Sequence, residues 1–99
     1  MTEKTSSASA FDKLAILSEQ RDVQHLMRFQ WVKMACLAEA LKSTLALHNM
    51  LSSDQTRLIT DIVKESRFQR AACWTEIERL DGEISTLTDQ LNNGVYDHE

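Results

Sequence analysis

The stretch ITDIVKESRFQRAACWTEIERLDGEISTLTDQL, Ile59 to Leu91, decides the fold. Within it Ile59, Val63, Ser66, Arg70, Cys73, Ile77, Leu80, Ile84, Leu87 and Leu91 follow one another at gaps that alternate four and three. Eight of these ten positions are apolar, enough to draw one stripe along one side of a long helix. Such a stripe has to be buried against other helices. Only Ser66 and Arg70 break it, as a polar layer near its middle.

Upstream, a second line of the same spacing runs through Val23, Met27, Gln30, Met34, Leu37, Leu41, Thr44, His48 and Leu51. Trp31, Ala38 and Leu45 lie beside it and widen the face, as expected of a helix that touches more than one neighbour. This line, with Met34, Leu37 and Leu41, is read as the seam of the first arm, and the hairpin register sets Trp31 near Cys73. Between the lines stands Asn49-Met50-Leu51-Ser52-Ser53-Asp54-Gln55. Ser52 with Gln55 three residues on has the form of a capping box, and Asp54 suits the positive end of a new helix. A turn this short sets the flanking helices antiparallel. Downstream, Asn93-Gly94 offers a stop.

The predicted fold is all-α: a long antiparallel hairpin with arms over about 11–50 and 53–92, each roughly 60 Å long. The turn sets Leu41 near Val63 and Leu14 near Leu91. Residues 19–22, Glu-Gln-Arg-Asp, carry no apolar side chain, so the first arm either continues through a weak layer or breaks there. Ser9 is the expected cap of that arm, followed by an apolar face of Phe11, Leu14, Ala15 and Leu17. Residues 1–8 and 94–99 are read as loose tails around one helical domain, 9–93. A single two-helix layer leaves apolar surface wet, so two hairpins are expected to pair into a four-helix bundle as a homodimer.

Composition agrees. The 99 residues contain no Pro and two Gly, and Leu, Ala, Ile and Met dominate the apolar set. The formal net charge of −4 weighs against a general nucleic-acid binder. No apolar run reaches the length of a membrane span. The N-terminal residues lack a hydrophobic signal region, and Cys36 and Cys73 sit inside helical patterns as buried thiols. A cytoplasmic location is the expectation.

Candidate functional residues lie off the seam. Phe68 falls on the outward side of the second arm, beside the small residues Ala71, Ala72 and Thr75, where another helix could approach closely. Trp74 and Trp31 flank the seams, as partner anchors or as filling of a wider core. Arg67 and Arg70, with Arg28 and Lys33 across the hairpin, give a basic middle. Glu76, Glu78, Asp81, Glu83 and Asp89 make the far end acidic. The His and Cys residues have no metal-site spacing, no Gly-rich phosphate loop occurs, and no carboxylates form a catalytic pair, so neither enzyme chemistry nor a cofactor is expected. No motif attaches the chain to a family. In size, acidity and helix content it is similar to the small helical-hairpin chaperones of bacterial secretion systems, a resemblance of composition that assigns no residue a role.

The expected function is a small helical protein–protein interaction module: an adaptor, chaperone or antagonist of a protein partner. The alternative is a structural coiled-coil component. A weaker third reading is a nucleic-acid-associated regulator using the basic middle.

Overall fold

The structure, a computed structural model, describes residues 7–94. They form two helices, α1 (Ser7–Leu47) and α2 (Ser53–Asn92), and no strand among the described residues. Of the expected tails, 1–8 and 94–99, residues 1–6 and 95–99 lie outside the described residues, and residues 7 and 8 belong to α1. Two of the expected boundaries shift. Helix α1 starts at Ser7, so Ser9 lies inside it rather than capping it. It ends at Leu47, short of residue 50, because Asn49 takes a left-handed conformation (φ 56°). Met50 N–H then donates to the Leu45 carbonyl (2.8 Å) and Asn49 N–H to that of Ala46 (3.1 Å). This pair of bonds closes the helix end, and Asn tolerates the conformation better than most residues.

The start of α2 follows the local sequence. Ser52 N–H donates to Gln55 Oε1 (2.9 Å) and Gln55 N–H to Ser52 Oγ (3.1 Å), so the capping box is made in both directions. At the other end Gly94 adopts φ 71° and donates to the Leu91 carbonyl, the stop that Asn93-Gly94 signalled.

Backbone contacts divide the chain into two compact units. The turn unit is His25–Trp74. The end unit joins residues up to Gln24 with those from Thr75 onward. In each, a stretch of α1 packs against an antiparallel stretch of α2.

In the end unit Ala10, Leu17, Leu80 and Leu87 form a buried cluster, with Leu14, Ile84 and Leu91 packed against it. Leu14 and Leu91 both pack against this one cluster. Phe11 is exposed, and Ala10 takes the inward place instead. Helix α1 runs unbroken through residues 19–22. Arg21 there ties to Asp81 of α2 (3.2 Å), supporting a layer that has no apolar side chain. In the turn unit Ala38, Ile59 and Val63 form the buried cluster, backed by Leu45, Leu51 and Ile62.

Helix α2 buries the stripe read from its spacing. Ile59, Val63, Ser66, Cys73, Ile77, Leu80 and Leu87 are all buried, and Ile84 and Leu91 are half-buried. Ser66 is satisfied within its own helix, its Oγ–H donating to the Ile62 carbonyl (2.7 Å). Arg70 is the exception: it is exposed, its position on the stripe notwithstanding.

Helix α1 corrects the expectation. The line through Met27, Gln30, Met34, Leu37 and Leu41 does not face α2. Met27 is 43%, Met34 46%, Leu37 63% and Leu41 51% exposed. The buried or half-buried line is Ala10, Leu14, Leu17, Arg21, Gln24, Arg28, Trp31, Ala35, Ala38 and Leu45, interrupted at exposed Lys42. It has the same alternation of four and three but smaller and more polar side chains. The bulky stripe of α2 explains the choice. Large side chains interdigitate with small ones, and Ala10, Ala35 and Ala38 let the helices approach.

Candidate functional site

The turn unit carries two unlike surfaces, one on each side of its α1–α2 contact. The first is apolar. Met34, Leu37 and Leu41 stand one helical turn apart on α1, with Met27 two turns before Met34, and exposed Leu58 and half-buried Ile62 lie on α2. Trp31, Met34, Ile62 and Ser66 line a shallow groove here, with Asp61 and Glu65 at its edge. The groove wall is almost wholly hydrocarbon. A contiguous row of this kind marks an interaction surface more often than scattered exposure does.

The second surface is cationic and aromatic. The Arg28 guanidinium lies over the Trp74 ring, 5.2 Å from its centroid, and Lys33 Nζ approaches the Phe29 ring at 5.8 Å. Nearer the turn, Lys42, Lys64 and Arg67 line one cleft together with Glu39 and Thr60. Arg67 bridges Glu39 at 3.4 Å, a pair with more than half of each side chain in solvent and therefore of small energetic weight.

The candidate residues read from sequence are spread over these surfaces and a third. Trp31 is half-buried at the edge of the apolar groove. Trp74 and Arg67 belong to the cationic side. Phe68 points outward, 68% exposed, with exposed Ala71 and Ala72 as neighbours along the helix. Gln30 is exposed and makes no layer with Ser66 and Arg70. Across the hairpin Glu39 pairs with Arg67, not with Arg70. Cys73 is buried, but Cys36 is exposed, so the expectation of two buried thiols fails for Cys36; both are free. Cys36 sits one residue after Ala35, on the far side of the inward line.

Sequence reasoning placed Arg28 in the basic middle but missed the inward line it belongs to. The signal was present, since Ala10, Leu14, Leu17, Arg21, Gln24, Arg28 and Trp31 repeat with heptad spacing. It was masked by the richer line beside it.

In the end unit the arginines pair with nearby carboxylates. Arg79 donates through Nε to Glu76 Oε1 (2.9 Å) and through Nη1 to Glu83. The hydrogen bond from Arg79 holds the Glu76 carboxyl below the ordinary glutamate value, and the same bond raises Arg79 further. Among the described residues no group of three His, Cys, Asp or Glu could hold a metal ion, and no helix is long and apolar enough to cross a membrane. Compared with protein-family models, curated proteins and solved structures, the chain matches none.

Proposed function

We propose that this chain is a small, non-enzymatic helical protein–protein interaction module, an adaptor, chaperone or antagonist of a protein partner, and that two copies pair into a four-helix bundle. The observation that carries the proposal is the uncovered line Met27, Met34, Leu37 and Leu41. Its strict heptad spacing suits another long helix, supercoiled with α1, better than a short peptide. A second copy of this chain supplies such helices, and closed two-fold dimers are the commonest assembly. The regular order of both heptad lines also favours a second reading, a structural coiled-coil component that assembles through the same surface.

Light scattering after gel filtration, over a wide concentration range, tests the pairing. The wild-type mass should be near twice 11.3 kDa. Leu37→Asp combined with Leu41→Asp should give a monomer that keeps its helical circular dichroism. Phe68→Asp should leave the dimer intact. A wild-type monomer at every concentration overturns the bundle, and a dimer untouched by the paired substitutions overturns this surface. A protein partner taken on the outer face around Phe68, Ala71 and Ala72 should be lost from Phe68→Asp while that variant stays folded.

A further inference from the structure

The two units solve the same electrostatic problem differently. Arg21 of the end unit occupies the inward line of α1 and reaches Asp81 (3.2 Å). Arg28 stands one heptad after Arg21, and Trp74 one heptad before Asp81. In the antiparallel register Trp74 is therefore to Arg28 what Asp81 is to Arg21. The turn unit offers its arginine a ring where the end unit offers a carboxylate. No carboxylate among the described residues pairs with Arg28, and its Nε is buried without a hydrogen-bond partner. A guanidinium has five donors, and leaving them short of acceptors at a half-buried site is costly. The same side gathers Lys42, Lys64 and Arg67 around one cleft, against the single carboxylate of Glu39. Phe29, more than half exposed and next to Arg28 in the chain, supplies an apolar anchor at the Arg28 end of this side.

We infer that this cationic–aromatic side of the turn unit, built on Arg28, Phe29, Lys42, Lys64, Arg67 and Trp74, is a docking surface for an acidic polypeptide segment bearing an aromatic or aliphatic side chain. Charge complementarity selects the occupant. The segment's carboxylates complete the cations that the chain leaves without an acid, and displace the weak Glu39 bridge from Arg67. A nucleic acid fits less well. It carries a charge on every nucleotide, whereas the chain has a net charge of −4 and sets Glu39 in the patch itself. This surface is separate from the apolar side, so the inference does not depend on pairing of two copies.

Fluorescence anisotropy of the intact chain tests it. The probe is a fluorescein-labelled eight-residue peptide with five Glu and one Phe. The controls are its all-Gln counterpart and a labelled twelve-residue oligothymidylate. The Glu peptide should bind, weaken as salt rises, and lose about tenfold or more in affinity with Lys42→Glu plus Lys64→Glu, both exposed positions. Arg28→Gln should weaken it as well and remove the shift of the Trp74 indole N–H signal on titration. Leu37→Asp, on the other side, should leave binding unchanged. Equal binding of the Glu and Gln peptides, or no binding at low salt, overturns the inference. So does tighter binding of the oligonucleotide, which would assign the surface to nucleic acid instead.

Discussion

The end unit and the turn unit are built from the same two helices with the same spacing, yet they differ in how far each satisfies itself. The end unit closes four buried side chains and three half-buried ones into one cluster. Its two arginines find acids: Arg21 meets Asp81, and Arg79 meets Glu76 and Glu83. The turn unit leaves most of its large apolar side chains in solvent. Among the described residues, only Phe11, Ile16 and Val23 of the fourteen large exposed hydrophobics belong to the end unit, and the other eleven belong to the turn unit. It also leaves Arg28 without a carboxylate. One unit reads as a fastening, the other as a surface in want of partners.

The comparison is broken most decisively by truncating one leucine in each unit. Leu80→Ala, in the end-unit core, should cost about 2–5 kcal/mol in urea unfolding. Leu37→Ala, in the turn unit, should cost no more than about 0.5 kcal/mol at concentrations where the chain is monomeric. If a second copy covers Leu37, that cost should grow as protein concentration rises. Equal costs at low concentration would show that α1 turns its Met27–Leu41 line inward in solution.

Gly82 gives the next largest effect. A Cβ built there meets nothing within 4 Å, so the residue serves neither close packing nor an unusual backbone. Gly82→Ala should raise stability by about 1 kcal/mol through helix propensity alone, read as a higher urea midpoint with an unchanged slope. A loss instead would mean that this face of α2 is covered in solution.

Smaller still is the Arg21–Asp81 bridge, which is largely exposed on the Asp81 side. Asp81→Asn should cost about 0.2–1 kcal/mol at low salt and less at high salt. A larger cost would show that this pair supports α1 across its apolar gap at 19–22 more strongly than an ordinary surface bridge.

The smallest effect is in pH. Glu76 is held below its ordinary value by the hydrogen bond from Arg79. A carboxylate depressed in the folded state adds stability that is fully present above its unfolded value. That stability is lost as pH falls through the folded one. Acid titration of helicity below pH 4.5, the ordinary value, should therefore show a slight loss that Glu76→Gln removes. Because the pair is in solvent, added salt should diminish the difference.

Legibility from sequence followed the strength of the local pattern. The stripe on α2 was unambiguous because its bulky side chains lie on one side and its charges on the others. Helix α1 is apolar on two sides, so spacing alone offers two seams, and the richer one is the side that stays exposed. Met34, Leu37 and Leu41 moved from expected core to exposed surface for that reason, while Ala35 and Arg28 moved inward. The candidate partner residues fared unevenly. Phe68 is as outward as its position implied, whereas the setting of Trp74 under Arg28 depends on register across the hairpin.

Sequence by itself determined the two helices, the turn between them and the inward face of α2. Those depend on short-range causes: the reciprocal Ser52–Gln55 cap, the left-handed Asn49, the stop at Gly94 and one dominant apolar stripe. Only the tertiary structure decided which side of α1 meets that stripe, and so which surfaces remain for others. That choice rests on how large side chains of one helix fit small ones of the other, a property of the pair that neither helix carries alone.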